Sequence, residues 1–281
     1  MSFLGAFGFR KGTVGGVLPI GSLLTLNGTD AILWLDGDLD VYSDSGSTPS
    51  IFDGLVVTWG DQTTYLNNAT QTAFTQTYRD GHGGWNNLDF IEFSGQTGSS
   101  NLLVNNDASF SALTELTILL AIKGNITDTW ANGDVIIQHT DNFASGGTVD
   151  GWDLVYNNNL GSNELVFTYV DSSAGLGYNR LTIPFNILSQ TLYTFRVSGD
   201  TIDAWTGSTD SPIWTNSTGN GMDELLSAVG ISIGSFYRIN GGPEATSNAP
   251  VDFGSIVMYG GPLSNSDVKL VQDNLVAKYN F

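Results

Sequence analysis

The alternation of apolar and polar positions along the chain predicts a protein built mainly from short β-strands. The clearest strand lies near the end of the chain, where residues 251–259 are nearly all apolar or small. That pattern is typical of a strand covered on both faces. Gly260, Gly261 and Pro262 follow immediately and predict a turn that ends the strand.

A single amphipathic helix is predicted after this turn. Ser264 can accept the first free amide protons of the helix, and Asp267 lies three residues on, where the acidic partner of a capping box belongs. Apolar residues then recur at helical spacing and predict a buried face, formed by Val268, Val271, Leu275 and Tyr279.

The middle of the chain contains further short apolar runs separated by turn residues. Thirty-five glycines, together with many Asn, Ser and Thr, supply the turns that an all-β protein needs. Gly199 and Asp200 stand between two runs and predict a two-residue hairpin. The predicted strands cover residues 116–123, 135–138, 152–156, 164–170, 192–197 and 201–205.

Several segments together resemble the concanavalin A-like, laminin-G-type jelly-roll domains. The closing segment Phe-Gly-Ser-Ile-Val-Met-Tyr-Gly-Gly-Pro-Leu-Ser-Asn-Ser-Asp-Val, followed by Leu-Val-Ala-Lys-Tyr, is similar to the C-terminal signature of that family. The earlier segments that fall in the family's order are 32–36, 57–61, 68–71 and 88–95. The resemblance implies one antiparallel β-sandwich over residues 30–281, with a C-terminal helix. Domains of this kind occur in lectins, glucanases, adhesins and bacteriophage virion proteins.

Charge and composition exclude several functions. The chain has 9 Lys and Arg against 28 Asp and Glu, a formal net charge of −19, which disfavours nucleic acid as a partner because phosphate binding depends on clustered cations. It has no cysteine, and therefore no disulfide framework, thiol nucleophile or zinc-thiolate site. The apolar runs are too short to span a bilayer.

Residues 1–29 form a predicted N-terminal arm that differs electrostatically from the rest. From Met1 to Gly28 there are two basic residues and no acidic one. Apolar side chains among glycines are too flexible to fold alone and too apolar to stay in water. The arm is therefore expected to be covered either by its own sandwich or by another subunit. The predicted docking residues are Phe3, Leu4, Phe7, Phe9, Arg10 and Lys11.

Motifs for hydrolytic chemistry fail in their context, so no catalytic residue is predicted. Residues 230–234 match the G-x-S-x-G pattern, but Ser232 stands in alternating β sequence and both histidines lie upstream of it. Glucanases of similar architecture align two glutamates on one strand face. Here Glu92 lies three positions after Asp89, and this odd spacing points the two side chains to opposite faces of a strand.

A calcium site is one interpretation of three alternating carboxylates, Asp36, Asp38 and Asp40. The pattern departs from an EF-hand, because Val41 stands where the turn glycine belongs and Ser47 where the bidentate glutamate belongs. The alternative is that the three residues are ordinary turn aspartates. His82 has no second histidine at ligand spacing and is predicted to be a loop histidine.

Tryptophans beside amide side chains are candidates for binding sugars, because they combine a flat apolar face with groups that satisfy hydroxyls. The alternative is that these tryptophans pack under loops. The candidate residues are Trp85, Asn86, Trp130, Trp152 and Trp214.

The pattern as a whole favours a non-enzymatic structural or accessory protein of a bacteriophage virion, assembled in the host cytoplasm as a head decoration, head fibre or tail-associated component. Its predicted partners are other virion subunits or further copies of itself, and surface glycans. The alternative is a glycan-binding adhesin at a cell surface or outside the cell, and the third interpretation is a carbohydrate-active enzyme.

Overall fold

The computed structural model describes thirteen segments of the chain. The arm residues 1–17 and His82 lie outside them. The described residues are 18–73, 76–81, 85–93, 101–105, 107–111, 113–125, 129–140, 151–159, 161–171, 177–217, 219–222, 230–238 and 242–281.

Two antiparallel sheets form a β-sandwich, as predicted. The first sheet has its strands in the order β17 (Trp214–Ser217), β16 (Thr201–Thr206), β15 (Thr191–Ser198), β10 (Leu116–Gly124), β21 (Val251–Tyr259), β8 (Phe90–Glu92), β7 (Gln76–Arg79) and β4 (Leu55–Val56). Beside β21 it also holds β2 (Thr29–Asp36), which pairs with β1 (Thr25–Leu26).

The second sheet lies against the first. Its order is β14 (Gly177–Pro184), β13 (Ser162–Asp171), β12 (Gly151–Asn159), β11 (Val135–Thr140), β18 (Ile231–Ile233), β9 (Asn101–Val104), β6 (Ala69–Ala73), β5 (Thr58–Trp59) and β3 (Val41–Tyr42). The hairpin of β19 (Ser235–Arg238) and β20 (Gly242–Asn248) adjoins β11. The helices are the short α1 (Ala108–Ser111) and α2 (Asn265–Tyr279).

The main core fills the space between the two sheets. Alternate residues of each strand point inward, so aromatic rings from opposite sheets meet there. Phe167 of the second sheet stacks on Phe195 of the first, with ring centroids 5.3 Å apart. On its other side Phe167 stacks on Trp152 at 6.0 Å. The side chains on the other face of each strand therefore lie on the outside of the sandwich.

Helix α2 covers the outer face of the first sheet and creates a second core. The predicted cap is confirmed, since Ser264 precedes the helix and its Oγ accepts a hydrogen bond from the Asp267 amide at 3.2 Å. The predicted buried face is also confirmed, because all four of its residues are buried against the sheet: Val268, Val271, Leu275 and Tyr279.

Residues 18–29, which we call the N-terminal strap, lie against this second core. Leu23 is fully buried in it. Tyr259 donates a hydrogen bond from its hydroxyl to the Leu23 carbonyl at 2.7 Å, and the side chain of Asn274 on α2 donates to the Leu18 carbonyl at 3.1 Å. The strap therefore contacts the sandwich through its side chains and backbone. The division into an arm over residues 1–29 and a domain over residues 30–281 stays a prediction.

Candidate functional site

The outer face of the second sheet carries a line of polar side chains that we call the polar row. Its members stand directly opposite one another on five neighbouring strands, β18, β11, β12, β13 and β14. Their neighbours along each strand point the other way into the main core, as Trp152 and Leu154 do on either side of Asp153. The polar row consists of Ser232, Gln138, Asp153, Thr168 and Arg180.

Only the edge of the polar row is open to solvent. Its first four members are between 1% and 9% exposed, whereas Arg180 on the edge strand β14 is exposed. With strands about 4.8 Å apart, the part of the row from β11 to β14 is about 14 Å long. A ligand would therefore approach from the Arg180 end.

Asp153 is the unusual member of the row. Its side chain is only 9% exposed, and its Oδ1 atom has no hydrogen-bond partner among the residues that the structure describes. Burial raises the pKa of Asp153 to about 7, while the hydrogen bond from Thr168 and the charge of Arg180 act in the opposite direction. A buried acceptor without a donor is uncommon in proteins. The atom is itself inaccessible to solvent, so it marks a strained polar position in the sandwich rather than an open contact point.

The polar row provides no acid pair for glycoside hydrolysis. Among the described residues, Arg180 is the one charged group that perturbs the pKa of Asp153, and no second carboxylate acts on it. Glu92, on the other sheet, forms an ion pair with Arg79 at 2.9 Å. A hydrolase needs two carboxyl groups on either side of one glycosidic bond.

Ser232 lies in strand β18, which confirms that the G-x-S-x-G match is not a nucleophile elbow. Its side chain is buried and donates to the Ser235 carbonyl at 2.7 Å. The His139 ring is also buried, and it contacts Phe110 and Trp152 with centroids 6.0 and 6.3 Å apart. It therefore belongs to the core rather than to a catalytic base.

Trp85 and Trp152 were candidates for stacking on sugars, and that prediction is wrong for both. Each side chain is 1% exposed. Trp85 packs edge-on against Tyr279 and Phe281 at the end of α2, with centroids 5.6 and 6.1 Å apart. Strand alternation turns Trp152 into the main core. The amide of Asn86 donates to the Lys278 carbonyl at 2.9 Å, so this side chain anchors the helix end.

Trp130 and Trp214 are half-buried, and their glycan-binding role stays a prediction. The Trp130 ring lies 4.7 Å from Tyr156 and 5.4 Å from Phe185, measured between centroids. Its indole N–H donates to the Asn125 carbonyl at 3.2 Å. Trp214 rests against the main core on the edge strand β17. Each therefore presents part of a ring to solvent.

The three aspartates considered for calcium have protein partners instead. Asp36 is buried and forms an ion pair with Lys278, and its Oδ1 lies 3.2 Å from the Tyr279 hydroxyl. Asp40 accepts hydrogen bonds from Tyr42 and Gln62, each at 2.9 Å. Burial raises the pKa of Asp38. Across the described segments, no cluster of three or more acidic, histidine or cysteine side chains could hold a metal ion.

The docking role of the arm stays a prediction, because its residues lie outside the described part of the chain: Phe3, Leu4, Phe7, Phe9, Arg10 and Lys11.

Sequence reasoning missed the polar row. A signal was present, because a polar residue stands between apolar neighbours at each of its positions on β12 and β13. In the described part of the chain, no helix is both long and apolar enough to cross a membrane.

Comparisons with known proteins find similarity at the level of the fold. No protein-family model matches the chain, and no curated protein matches it. Solved structures do match. A GH54 α-L-arabinofuranosidase is 12% identical with a TM-score of 0.57, over 89% of this chain and 63% of that one. The botulinum neurotoxin serotype D binding domain is 13% identical with a TM-score of 0.51, over 88% and 51%.

A third similar structure is the binding domain of botulinum neurotoxin DC in complex with SialylT. It is 12% identical with a TM-score of 0.50, over 87% of this chain and 51% of that chain. The chain thus spans about half the length of the toxin domains it matches. At these identities the likeness shows a shared β-sandwich fold.

Proposed function

We propose that this protein is a non-enzymatic binding protein that serves as a structural or accessory component of a bacteriophage virion and binds surface glycans. The observation that carries the binding role is the partial exposure of Trp130 and Trp214, whose rings are of the kind that stack on sugars. Among the described residues, no second carboxylate acts on the buried Asp153, which supports binding without turnover.

A glycan-binding adhesin is the second candidate, and one observation favours it. The similar binding domain of botulinum neurotoxin DC was solved in complex with SialylT. An adhesin and a virion accessory protein would both bind glycans but would differ in what the N-terminal arm attaches to. Identifying the partner of the arm would therefore distinguish the two candidates.

Attachment through the arm agrees with the position of the N-terminal strap. The strap ends at Leu18, beside Asn274 on the sheet face that α2 covers. The polar row occupies the outer face of the other sheet. We infer that residues 1–17 bind virion subunits or another copy of this chain.

We expect the protein to bind glycans without cleaving them. The purified protein should be retained on part of an array of bacterial surface glycans and β-glucans, because the half-buried rings of Trp130 and Trp214 offer apolar faces to sugars. It should release no reducing ends from the same polysaccharides, because no second carboxylate among the described residues acts on Asp153. Reducing-end release that disappears in Asp153→Asn or in Glu92→Gln would contradict the non-enzymatic function. Failure to bind any glycan would contradict the binding function.

Deleting residues 1–11 should abolish self-association or incorporation into particles while leaving the domain folded. Burying each apolar side chain of the arm contributes about 1.5–3 kcal/mol, whereas an exposed ion pair adds at most about 1 kcal/mol. The matched control is the double variant Arg10→Ala, Lys11→Ala, which should weaken attachment modestly and reduce its salt dependence. Sedimentation measures the assembly of the truncated chain, and a melting curve measures its folding. Normal assembly or loss of folding in the truncated chain would refute a docking arm.

A further inference from the structure

Two neighbouring apolar side chains, Ile51 and Phe52, are exposed to solvent at one edge of the sandwich, and we call this pair the apolar tip. Ile51 is 76% exposed and Phe52 is 59% exposed. They lie between β3 and β4, which are the edge strands of the two sheets. Scattered single apolar residues are normal on a protein surface, whereas contiguous apolar surface marks an interaction site.

Hydrogen bonds hold the backbone of the apolar tip, so its exposure is built into the fold. The Gly54 amide donates to the Ile51 carbonyl at 2.7 Å, and the Asp53 amide donates to the Tyr78 carbonyl on β7 at 2.9 Å. Asp53 has a left-handed φ of 56°, which aspartate tolerates in turns. Its carboxylate forms an ion pair with Arg79. A partner therefore meets a surface that needs little ordering on binding.

The charged side chains beside the apolar tip are acidic on balance. Arg79 is shared between two carboxylates, Asp53 and Glu92, and its contact with Glu92 is 2.9 Å long. One guanidinium between two carboxylates leaves one negative charge unmatched. The Asp53 side chain is 52% exposed, so this charge can attract cations of a partner. The apolar tip therefore favours a partner that is both apolar and basic.

A second exposed pair, Tyr65 and Leu66, lacks such a charge. These side chains are 41% and 71% exposed. The one acidic residue of their loop is Asp61, which is 6% exposed and accepts hydrogen bonds from the amides of Trp34 and Asn67, each at 2.8 Å. This loop therefore offers apolar surface without an exposed carboxylate, and it serves as an internal comparison.

Resting on the docking arm proposed above, we propose that the apolar tip of one copy of this chain receives the N-terminal arm of another copy. The arm combines the two required properties, because it is apolar and has basic but no acidic residues from Met1 to Gly28. Its apolar side chains cover the tip, and its cations meet Asp53 and Glu92 at the rim. The arm residues concerned are Phe3, Leu4, Phe7, Phe9, Arg10 and Lys11.

The arm is long enough to reach a neighbouring copy. It joins the strap at Leu18, beside Asn274 on α2. Residues 1–17 can span at most about 60 Å when extended, whereas a domain of this size is about 50 Å across. Arm and tip are different surfaces, so the contact is heterologous. Repetition of such a contact produces a ring or a filament rather than a closed dimer.

The test uses full-length variants and sedimentation velocity over a series of protein concentrations. Ile51→Ser with Phe52→Ser changes the tip, and Phe7→Ser with Phe9→Ser changes the arm. A melting curve checks the folding of each variant. Should the double tip variant not fold, Phe52→Ser alone makes the same test.

The matched control is Tyr65→Ser with Leu66→Ser, which removes an exposed apolar pair from the other loop. We expect the unchanged protein and the control to self-associate alike. The tip variant and the arm variant should each associate at least about 10-fold more weakly. Mixed together, they should form a one-to-one complex that grows no further, because one supplies an intact arm and the other an intact tip.

Four results would each overturn the inference. They are an unchanged protein that stays monomeric, a tip variant that associates normally, a control that loses association, and a mixture that forms no complex. If the arm variant alone loses association, the docking arm stands but its acceptor lies elsewhere. If the arm variant associates normally, the docking arm of the proposed function is wrong as well.

Discussion

Lowering the pH from about 7.5 to about 5 is expected to make the protein more stable, by about 2–3 kcal/mol from Asp153 alone. Its pKa is raised by burial from an ordinary 3.8 to about 7. At pH values between 3.8 and about 7, the folded state therefore binds more protons than the unfolded state. This contribution is therefore fully present below the unfolded pKa and is lost as the pH rises through 7.

Other aspartates either reinforce this trend or act outside its range. Burial also raises the pKa of Asp134, to about 6, so it contributes in the same direction. Hydrogen bonds from Thr48 and Ser47 lower the pKa of Asp44, and hydrogen bonds from Ser109 lower that of Asp107. Groups with lowered pKa values lose their stabilising contribution as the pH falls below 3.8. They therefore do not cancel the effect between pH 5 and 7.5.

Asp153→Asn should remove most of this dependence and stabilise the protein at neutral pH, because a neutral amide avoids the burial of a charge. Asp210→Asn is the control, since Asp210 is an exposed loop residue. Urea unfolding at the two pH values gives the free energies. If Asp153→Asn keeps the pH dependence of the unchanged protein, Asp153 is not the group responsible.

Leu275→Ala should lower the free energy of unfolding by about 2–5 kcal/mol, because it leaves a cavity where α2 meets the first sheet. Leu275 is 1% exposed within the second core. Leu270 on the same helix is 39% exposed, so Leu270→Ala is the matched control and should change stability by about 0.5 kcal/mol or less. Equal urea midpoints for the two variants would mean that α2 is peripheral to the fold.

The fold could be predicted from the sequence because its strands and helix carry local signals. All nine residues of β21 are buried, as their apolar pattern predicted. The hairpin at Gly199 is confirmed, and this glycine has the positive φ of 57° that such a turn needs. Strand β12 extends to Asn159, beyond its predicted end at residue 156. Backbone pairing with β13 holds those polar residues in the ladder, and hydrophobic patterns do not report such pairing.

The site was less predictable because its members come together only through register and tertiary contact. Asp153 and Arg180 are brought into one row by strand pairing that no local pattern specifies. Trp85 stands beside asparagines in the sequence, which is typical of an exposed loop, yet the end of α2 covers it. Asp36 resembled a turn aspartate, but Lys278 from the other end of the chain neutralises it.

The N-terminal strap and the end of α2 lie on the same side of the molecule. Leu18 is held by Asn274, and Phe281 packs on Trp85, both over the first sheet. Tethering through either point, whether to a larger assembly or to a sensor chip, would orient every copy alike. Many such copies on one scaffold would turn their second sheets outward together, so weak single-site contacts would add up through avidity.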